Sequence, residues 1–327
     1  MSTPNMLDAV NEYLASRRRL GYQLYIEGGE LHRFAEYADG LGHQGAITIE
    51  LAVRWAKLPT HGSPLYWARR LDMVRRLAGH QRMSQPETEI PPRGLLGPSY
   101  RRMPPHIYSH DEIEALLQEA SRLGPRGGLR PHTYRTLFGL LACTGLRISE
   151  ALRLTSAYVD LREGRLTVVA TKFHKSRLLP LHATAIEMLD SYARHRQLYL
   201  PRTTSTSFFL TERGTRLKYH KTILTFIDLR KRLGWSERAR PPRIHDLRHT
   251  FAVRTLLRWY EEGQPIGNKV ASLATYLGHV KVSDTYWYLS AVPELLAAAS
   301  SRFEVCCLDS AEREGAHGYE TSHSSFR

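Results

Sequence analysis

The sequence predicts a mainly α-helical protein with a small β-hairpin or sheet, in which a small all-α domain precedes a larger α+β domain. Apolar residues recur at helical spacing behind helix-start residues throughout residues 1–90. Prolines and glycines then concentrate in residues 91–107, which predicts a linker because such density blocks both helix and central strand. Alternating apolar residues after Gly164 predict the strands of the second domain, residues 108–305.

Four helices are predicted in the first domain. Thr3-Pro4, Thr48 and Ser63-Pro64 are typical of helix N-termini, because a hydroxyl accepts hydrogen bonds from free backbone N–H groups and proline suits the first turn. An apolar stripe follows on one side of each helix. The stripes consist of Leu7, Val10 and Leu14; of Leu31, Phe34, Ala35 and Ala38; of Leu51, Ala52 and Trp55; and of Trp67, Leu71, Val74 and Ala78.

The fourth of these helices carries arginines opposite its apolar stripe, namely Arg69, Arg70 and Arg76. A solvated face is the commoner explanation for such residues. A capped helix that shows mainly arginine opposite its core can equally lie on a phosphate backbone. Given the total charge of the chain, we expect this domain to bind DNA.

That total charge is strongly positive. Lys and Arg number 46 against 32 Asp and Glu, so the formal net charge is +14 at pH 7. A charge of this size favours a polyanionic partner. No apolar run approaches the roughly 20 residues of a membrane-spanning helix, so double-stranded DNA is a better expectation than a membrane.

The cysteines and the N-terminus indicate the compartment. Cys143, Cys306 and Cys307 are too few and too badly spaced for a disulfide framework or a zinc site. The first residues lack a charged region followed by an apolar one, so no secretory signal is predicted. We expect a cytoplasmic protein that uses no metal and no cofactor.

The second domain has clear helix boundaries. Ser109 and Glu112 form a predicted capping box, Gly145 should end a helix, and a helical pattern restarts at Arg147. The polar residues 306–327 should be a disordered tail. Further predicted elements are a strand at Ser207–Thr211, a helix at Tyr219–Leu233 and a helix at about Pro293–Phe303.

The predicted hairpin has a basic tip. Leu166, Val168 and Ala170 alternate as one strand, and residues 178–181 form the return strand. Between them lie the cations Lys172, Lys175 and Arg177. A tip of this charge can reach into a DNA groove, and a solvated tip is an equally good explanation on this evidence alone.

One stretch combines residue types suited to phosphate chemistry. His245 and Arg248 are three residues apart, which places both on one helix face, and His279 and Tyr288 follow. An arginine fork matches phosphate oxygens, an imidazole donates hydrogen bonds or moves protons, and a phenol can act as nucleophile. Arg243 lies in the basic loop that leads into His245.

Taken in order, these motifs resemble the tyrosine recombinase (phage integrase) family over about residues 109–296. The similarity is specific because five motifs occur in family order and spacing. The motifs are Thr144-Gly-Leu-Arg-Ile-Ser-Glu-Ala-Leu152, Thr171-Lys-x-x-Lys-x-Arg-x-x-Pro-Leu181, His245-x-x-Arg-His-Thr-Phe-Ala252, Leu277-Gly-His279 and Tyr288.

The resemblance implies a role for each matching residue. Arg147 and Arg248 would bind the scissile phosphate, with Glu150 supporting the first arginine. Lys172 would protonate the leaving 5′ oxygen. His245 and His279 would be the two imidazole positions, His245 helping to accept the tyrosine proton, and Tyr288 would be the nucleophile. By position, size and charge, the helical first domain is similar to the core-binding domain of the family.

The function implied is site-specific cleavage and rejoining of DNA through a 3′-phosphotyrosyl intermediate, without metal or ATP. The resemblance also implies a homotetramer on DNA, possible partner recombinases, and a role in integration, transposition or another recombination of a mobile element. Apolar residues Leu295, Leu296 and Phe303 would dock on a neighbouring protomer, with packing inside the same domain as the alternative.

Three other functions compete with this one. A type IB topoisomerase shares the chemistry but relaxes DNA without strand exchange. A metalloprotease is suggested by His245 and His249, but Asp246 replaces the glutamate base, and Arg248 would place a cation beside the metal. A DNA-binding protein with a decayed site is disfavoured by the intact set of residues.

Overall fold

A computed structural model describes residues 5–101, 103–169 and 176–291, excluding the side chains of residues 289–291. The chain divides into two compact units, Met1–Met103 and Pro104–Arg327. Within the described residues the fold is mainly helical with one small sheet, as predicted from the sequence. The predicted tail, the helix at about Pro293–Phe303 and the tip of the hairpin lie outside the described residues.

The first unit is a helical cluster. Its core includes Phe34 and Trp55, whose rings meet edge to face with centroids 5.3 Å apart. Three of the helices begin at side-chain caps, provided by Asn5, Thr48 and Ser63. The helices are α1 (Met6–Arg19), α2 (Tyr25–Gly40), α3 (Ile49–Lys57) and α4 (Pro64–Gln81).

Two sequence predictions for this unit need correction. The cap of α1 is Asn5, whose side chain accepts from the Asp8 amide, rather than Thr3-Pro4. Leu7 is 38% exposed, and the buried face of α1 instead includes Tyr13. The helix therefore begins later than predicted, and its buried face lies beside Leu7 rather than on it.

The second unit surrounds a larger core that includes Phe138, Leu140 and Phe226. The predicted capping box at Ser109 is present, and Gly145 ends a helix at φ +62°. The helices of the unit are α5 (His110–Ser121), α6 (Leu129–Thr144), α7 (Ile148–Ala151), α8 (Ala183–Tyr199), α9 (Tyr219–Arg232), α10 (Asp246–Glu261), α11 (Ile266–Leu277) and α12 (Ser283–Ala291).

The sheet of this unit has three antiparallel strands in the order β1 (Val159–Asp160), β2 (Arg165–Val168) and β3 (Arg177–Pro180). Leu166 pairs with Leu179, and both are fully buried. The sequence predicted β2 and β3 but missed the two-residue β1. The predicted strand at 207–211 is wrong: this segment makes only isolated bridges, through Ser207 to Thr155 and through Leu210 to Arg216.

Candidate active site

Three of the sequence-predicted residues meet at the turn that ends α11, namely Arg147, Arg177 and Arg248. Gly278 adopts φ +68°, a conformation that L side chains rarely adopt, and the turn presents backbone carbonyl groups to the arginines. An added Cβ at Gly278 would lie 2.7 Å from Arg177 Nη1. Glycine is therefore required here both by conformation and by space.

Arg248 is held by two helix ends. Its Nη1 donates to the Gly145 carbonyl at the end of α6, and its Nη2 donates to the Leu277 carbonyl at the end of α11, both at 2.7 Å. The residue is 2% exposed. Burial, followed by the charge of Arg147, lowers the pKa of Arg248 to about 10, so it is still a cation at neutral pH.

Arg147 shares that turn with Arg248. It is the N-cap of α7, and its Nη2 donates to the Gly278 carbonyl at 3.0 Å. Its Nη1 donates to Glu150 Oε1 at 2.9 Å, while its backbone N–H donates to Oε2 of the same carboxylate. Glu150 thus fixes both the backbone and the guanidinium of Arg147.

Glu150 also holds Arg177, at the start of β3. Arg177 donates to both oxygens of Glu150, at 3.2 and 2.8 Å, and its Nε donates to the Tyr276 carbonyl at 2.8 Å. Burial alone would raise the pKa of Glu150. The hydrogen bond and charge of Arg177, together with those of Arg147, outweigh burial and hold the pKa below its usual range.

This placement corrects the sequence prediction for Arg177. We expected a DNA-contacting residue of the hairpin, yet its side chain is only 12% exposed and its donors are used inside the unit. The reason is a carboxylate 27 residues away in the chain, which captures the guanidinium at the base of the hairpin. Arg177 therefore ties the hairpin to the turn that binds the two arginines.

His279 follows the turn directly. Its Nδ1 lies 2.6 Å from the hydroxyl of Thr285, a fully buried residue. Burial, then the charges of Arg248 and Arg147, lower the pKa of His279 to about 4, so the ring is neutral at pH 7. With its hydrogen on Nε2, the ring accepts from Thr285 through Nδ1 and keeps a donor for another group.

Tyr288 lies on α12 and is 2% exposed. Its hydroxyl is 2.9 Å from Nδ1 of His249, and its ring stacks near His279 with centroids 6.4 Å apart. Tyr288 also interacts electrostatically with Arg248. The structure thus brings the phenol to the side of the unit where the arginines converge.

His249 is the residue that sequence reasoning missed. The family resemblance gave roles to His245 and His279, whereas His249 stood in the family motif without a role and was otherwise one end of a rejected metal motif. Its spacing of four residues from His245 was an available signal, because i and i+4 share a helix face. The contact with Tyr288 spans 39 positions and could not be read from spacing.

His245 is the N-cap of α10 and reaches solvent while much of its ring faces protein. Burial and the charge of Arg248 lower the pKa of His245 to about 4. Nearby, the Arg243 side chain is half exposed, and two of its donors bind Asp246, at 3.2 Å from Nε and 2.8 Å from Nη2. The hydrogen bond to Asp246 raises the pKa of Arg243.

The remaining predicted residues fall into two groups. Lys172 and Lys175 lie outside the described residues. In the first unit, Arg69 is exposed, and Arg76 is half exposed with a 2.8 Å ion pair to Glu27. The expectation that Arg70 contacts DNA is wrong, because the residue is 6% exposed and its side chain faces the core of the unit.

The two other nearby tyrosines differ from Tyr288. Tyr286 is 48% exposed. Tyr276 is half-buried and stacks on Phe251 with centroids 5.5 Å apart, and burial raises its pKa to about 12. Tyr276 therefore has a packing role.

Two searches of the described residues gave negative results. No group of three or more His, Cys, Asp or Glu side chains among them is placed to hold a metal ion. None of their helices is both long and apolar enough to cross a membrane.

The assembled geometry suits the binding of an anion beside a phenol. Two arginines are fixed by backbone carbonyls, and the neutral imidazoles of His249 and His279 lie beside Tyr288. The neutral ring of His245 packs on that of His249. Preorganised donors of this kind stabilise negative charge that develops during a reaction without rearranging at that moment. The site can therefore stabilise a phosphoryl transition state.

Comparisons with known proteins agree with this chemistry. The phage integrase family model matches residues 107–294. A Sinorhizobium fredii protein named "Putative integrase/recombinase y4rB" is 41% identical over 302 residues, covering 90% of this chain and 96% of that protein. The tyrosine recombinase XerD of Mycobacterium tuberculosis is 32% identical over 216 residues, covering 64% and 66%.

Two solved structures share the fold. The Tn1549 transposon integrase in complex with transposon right end DNA matches with a TM-score of 0.66 at 16% identity, covering 90% of this chain and 98% of that chain. The XerH recombinase in a post-cleavage complex with palindromic difH substrate matches with a TM-score of 0.62 at 20% identity, covering 90% and 84%. At these identities the solved structures show the fold alone.

Proposed function

The chain belongs to the phage integrase family and is a site-specific tyrosine recombinase, and from that premise we propose that it cleaves and rejoins DNA through a 3′-phosphotyrosyl bond on Tyr288. The reaction uses neither metal nor ATP and takes place on double-stranded DNA in the cytoplasm. Cleavage serves integration or transposition of a mobile element, in keeping with the names of its relatives.

A single observation carries the proposal. Arg147 and Arg248 donate to carbonyls of adjacent residues, Gly278 and Leu277, so their guanidiniums are neighbours, and Tyr288 interacts with Arg248. Each arginine keeps further N–H donors beyond these contacts. A phosphodiester held by those donors would lie beside the phenol that attacks it.

The chemical step follows from these positions. The Tyr288 oxygen attacks phosphorus as its hydroxyl loses its proton, which His245 helps to accept. The bond between phosphorus and the 5′ oxygen breaks, and Lys172 gives a proton to that leaving oxygen. Arg147, Arg248 and His279 stabilise the negative charge on the phosphoryl oxygens. The phosphotyrosyl bond preserves the energy of the original ester, so attack by a 5′ hydroxyl rejoins the strand.

Covalent trapping tests the proposal. The protein is incubated with a pool of DNA fragments in excess chelator. The fragments that become joined to protein are sequenced, and peptide mapping locates the residue that carries the nucleotide. We expect an adduct on Tyr288 that Tyr288→Phe abolishes while DNA affinity is nearly unchanged, because only the hydroxyl is lost. Tyr286→Phe is the matched control and should still form the adduct.

Two results would overturn this assignment. The first is a nucleotide mapped to Tyr286. The second is an adduct that disappears in chelator and returns with magnesium.

Assembly and DNA contacts complete the proposal. We propose a homotetramer on DNA, with Arg69, Arg76, Arg243 and Lys175 meeting phosphates, since the described cations among them are exposed or half exposed. Removal of the chain from Pro293 onward should abolish synapsis of paired sites in a gel-shift assay. Unchanged synapsis would contradict docking by that segment.

A further inference from the structure

The contact between His249 and Tyr288 is the feature of the site that the family motifs do not assign. Nδ1 of His249 lies 2.9 Å from the Tyr288 hydroxyl. The imidazole is enclosed by three rings, with centroids 4.7 Å from His245, 6.0 Å from Trp287 and 5.5 Å from Tyr288. A ring packed on several sides cannot easily turn away from the hydroxyl it faces.

The direction of the hydrogen bond follows from the charge state of the imidazole. Burial, followed by the charges of His245 and Arg243, lowers the pKa of His249 to about 3, so the ring is neutral at neutral pH. With its hydrogen on Nε2, a neutral ring offers a lone pair at Nδ1, and the phenol is the donor. The phenol ring itself is 2% exposed and fixed by packing, so the main remaining freedom is rotation of its O–H bond.

We propose that His249 is a positioning residue on the nucleophile side of the reaction. It accepts a hydrogen bond from the Tyr288 hydroxyl, sets the rotation of the O–H bond, and polarises that bond for attack on phosphorus. This role is separate from that of His279, whose Nδ1 is engaged by Thr285. The inference rests on the proposed function of Tyr288.

Two substitutions at His249 separate orientation from other roles. Asparagine places a carbonyl oxygen close to the position of Nδ1 but cannot take up a proton at neutral pH, whereas alanine removes the acceptor. We expect His249→Ala to lower the rate of adduct formation at least about tenfold, because the nucleophile loses its orientation, a loss that can reach about a hundredfold. His249→Asn should recover most of that loss, and both variants should bind the trapped fragment as tightly as the wild type.

A modified substrate shows whether the His249→Ala defect concerns the nucleophile or the leaving group. A trapped fragment with a 5′-bridging sulfur has a leaving group that needs no acid. We expect the His249→Ala defect to persist on this substrate, because the missing contact is to the nucleophile. Lys172→Ala, which removes the proposed acid, is the control and should be rescued by the sulfur.

The outcomes are distinguishable. A His249→Ala rate within twofold of wild type, or faster than wild type, overturns the inference, and so does rescue by the bridging sulfur. Equal loss in His249→Asn and His249→Ala also overturns it, because an acceptor at that position would then be insufficient. Absence of any Tyr288 adduct in the wild type is a different result, which defeats the proposed function itself.

Discussion

Among the described residues, each unit buries one arginine almost completely, and the two have opposite kinds of partner. Arg70 in the first unit forms an ion pair with Glu30 at 3.3 Å and stacks on Trp55 with its Cζ 3.8 Å from the ring centroid. Arg248 in the second unit donates to two carbonyl oxygens, and no carboxylate within the described part of the chain forms an ion pair with it.

The difference indicates what each cation is for. A buried charge is costly unless an opposite charge compensates it. Glu30 compensates Arg70 within the unit, so that arginine belongs to the packing of its core. Arg248 is compensated by two carbonyl dipoles and, without an ion pair, by the charge of Glu150, and a phosphate anion would add to that compensation. Burial by itself therefore does not distinguish a structural arginine from a functional one, and the identity of the partner does.

The largest expected difference comes from replacing Arg248 and Arg70 each with lysine. Arg248→Lys should lower the single-turnover rate of DNA cleavage about a hundredfold or more, because lysine keeps the charge but loses the fork that reaches two carbonyls and the phosphate. Arg70→Lys should leave that rate within about twofold. Equal losses in the two variants would break the comparison.

The next effect concerns Glu150, the carboxylate that forms an ion pair with Arg147. Glu150→Gln should lower the free energy of unfolding by about 1–3 kcal/mol, because charged hydrogen bonds to two arginines become neutral in a buried position. Asp190→Asn is the control: its 3.0 Å partner Arg194 is 72% exposed, so the change should stay within about 0.5 kcal/mol. Urea unfolding of both variants measures the difference.

A smaller effect should appear with pH. The folded pKa values of His249 and His279, about 3 and about 4, lie below the ordinary value of 6.5. Between about pH 6.5 and pH 4 the unfolded state therefore binds more protons, and the free energy of unfolding falls as the pH falls. Hydrogen exchange at pH 7 and pH 5, corrected for the intrinsic rate, should show weaker protection in α10 and α11.

The helices α1–α4 are the internal reference for this measurement, since His249 and His279 belong to the other unit. Equal protection of α10 and α11 at both pH values would show that folding does not lower the pKa values of His249 and His279 as expected.

The smallest effect is expected where the charge is already compensated. Arg70→Met should change the free energy of unfolding by no more than about 1 kcal/mol, because methionine fills similar space and Glu30 keeps Arg33 as a partner at 2.6 Å. Arg70→Ala, which also removes the stacking on Trp55, should cost more. A urea titration in which Arg70→Met is less stable than Arg70→Ala would contradict the packing role of Arg70 in the first unit.

The local features of this fold could be predicted from the sequence because local chemistry determines them. The caps at Thr48 and Ser63, the capping box at Ser109 and the left-handed end at Gly145 each depend on residues within one turn. The apolar stripes, apart from Leu7, could be predicted because residues three and four apart share a helix face. The two-residue strand β1 lacks such a signal, since a pattern needs more than two positions to repeat.

The misplaced residues share a different cause. Periodicity put Arg70 opposite the core, but Glu30 and Trp55, which hold it, come from two other helices. Likewise the carboxylate that holds Arg177 and the phenol that meets His249 are 27 and 39 positions away. Partners at such separation are set by the tertiary fold, so residue type and spacing could suggest the site without revealing how each side chain is used.

The carbonyls that hold Arg147 and Arg248 have a consequence for how this protein can vary. Every amino acid carries a backbone carbonyl, so substitutions at Leu277 that preserve the turn leave the acceptor for Arg248 in place. The constraint is transferred to Gly145 and Gly278, where φ is positive and an added Cβ would lie 2.6 and 2.7 Å from its nearest neighbour. Sequence drift around the two arginines should therefore be tolerated, provided that the path of the chain through these two glycines is kept.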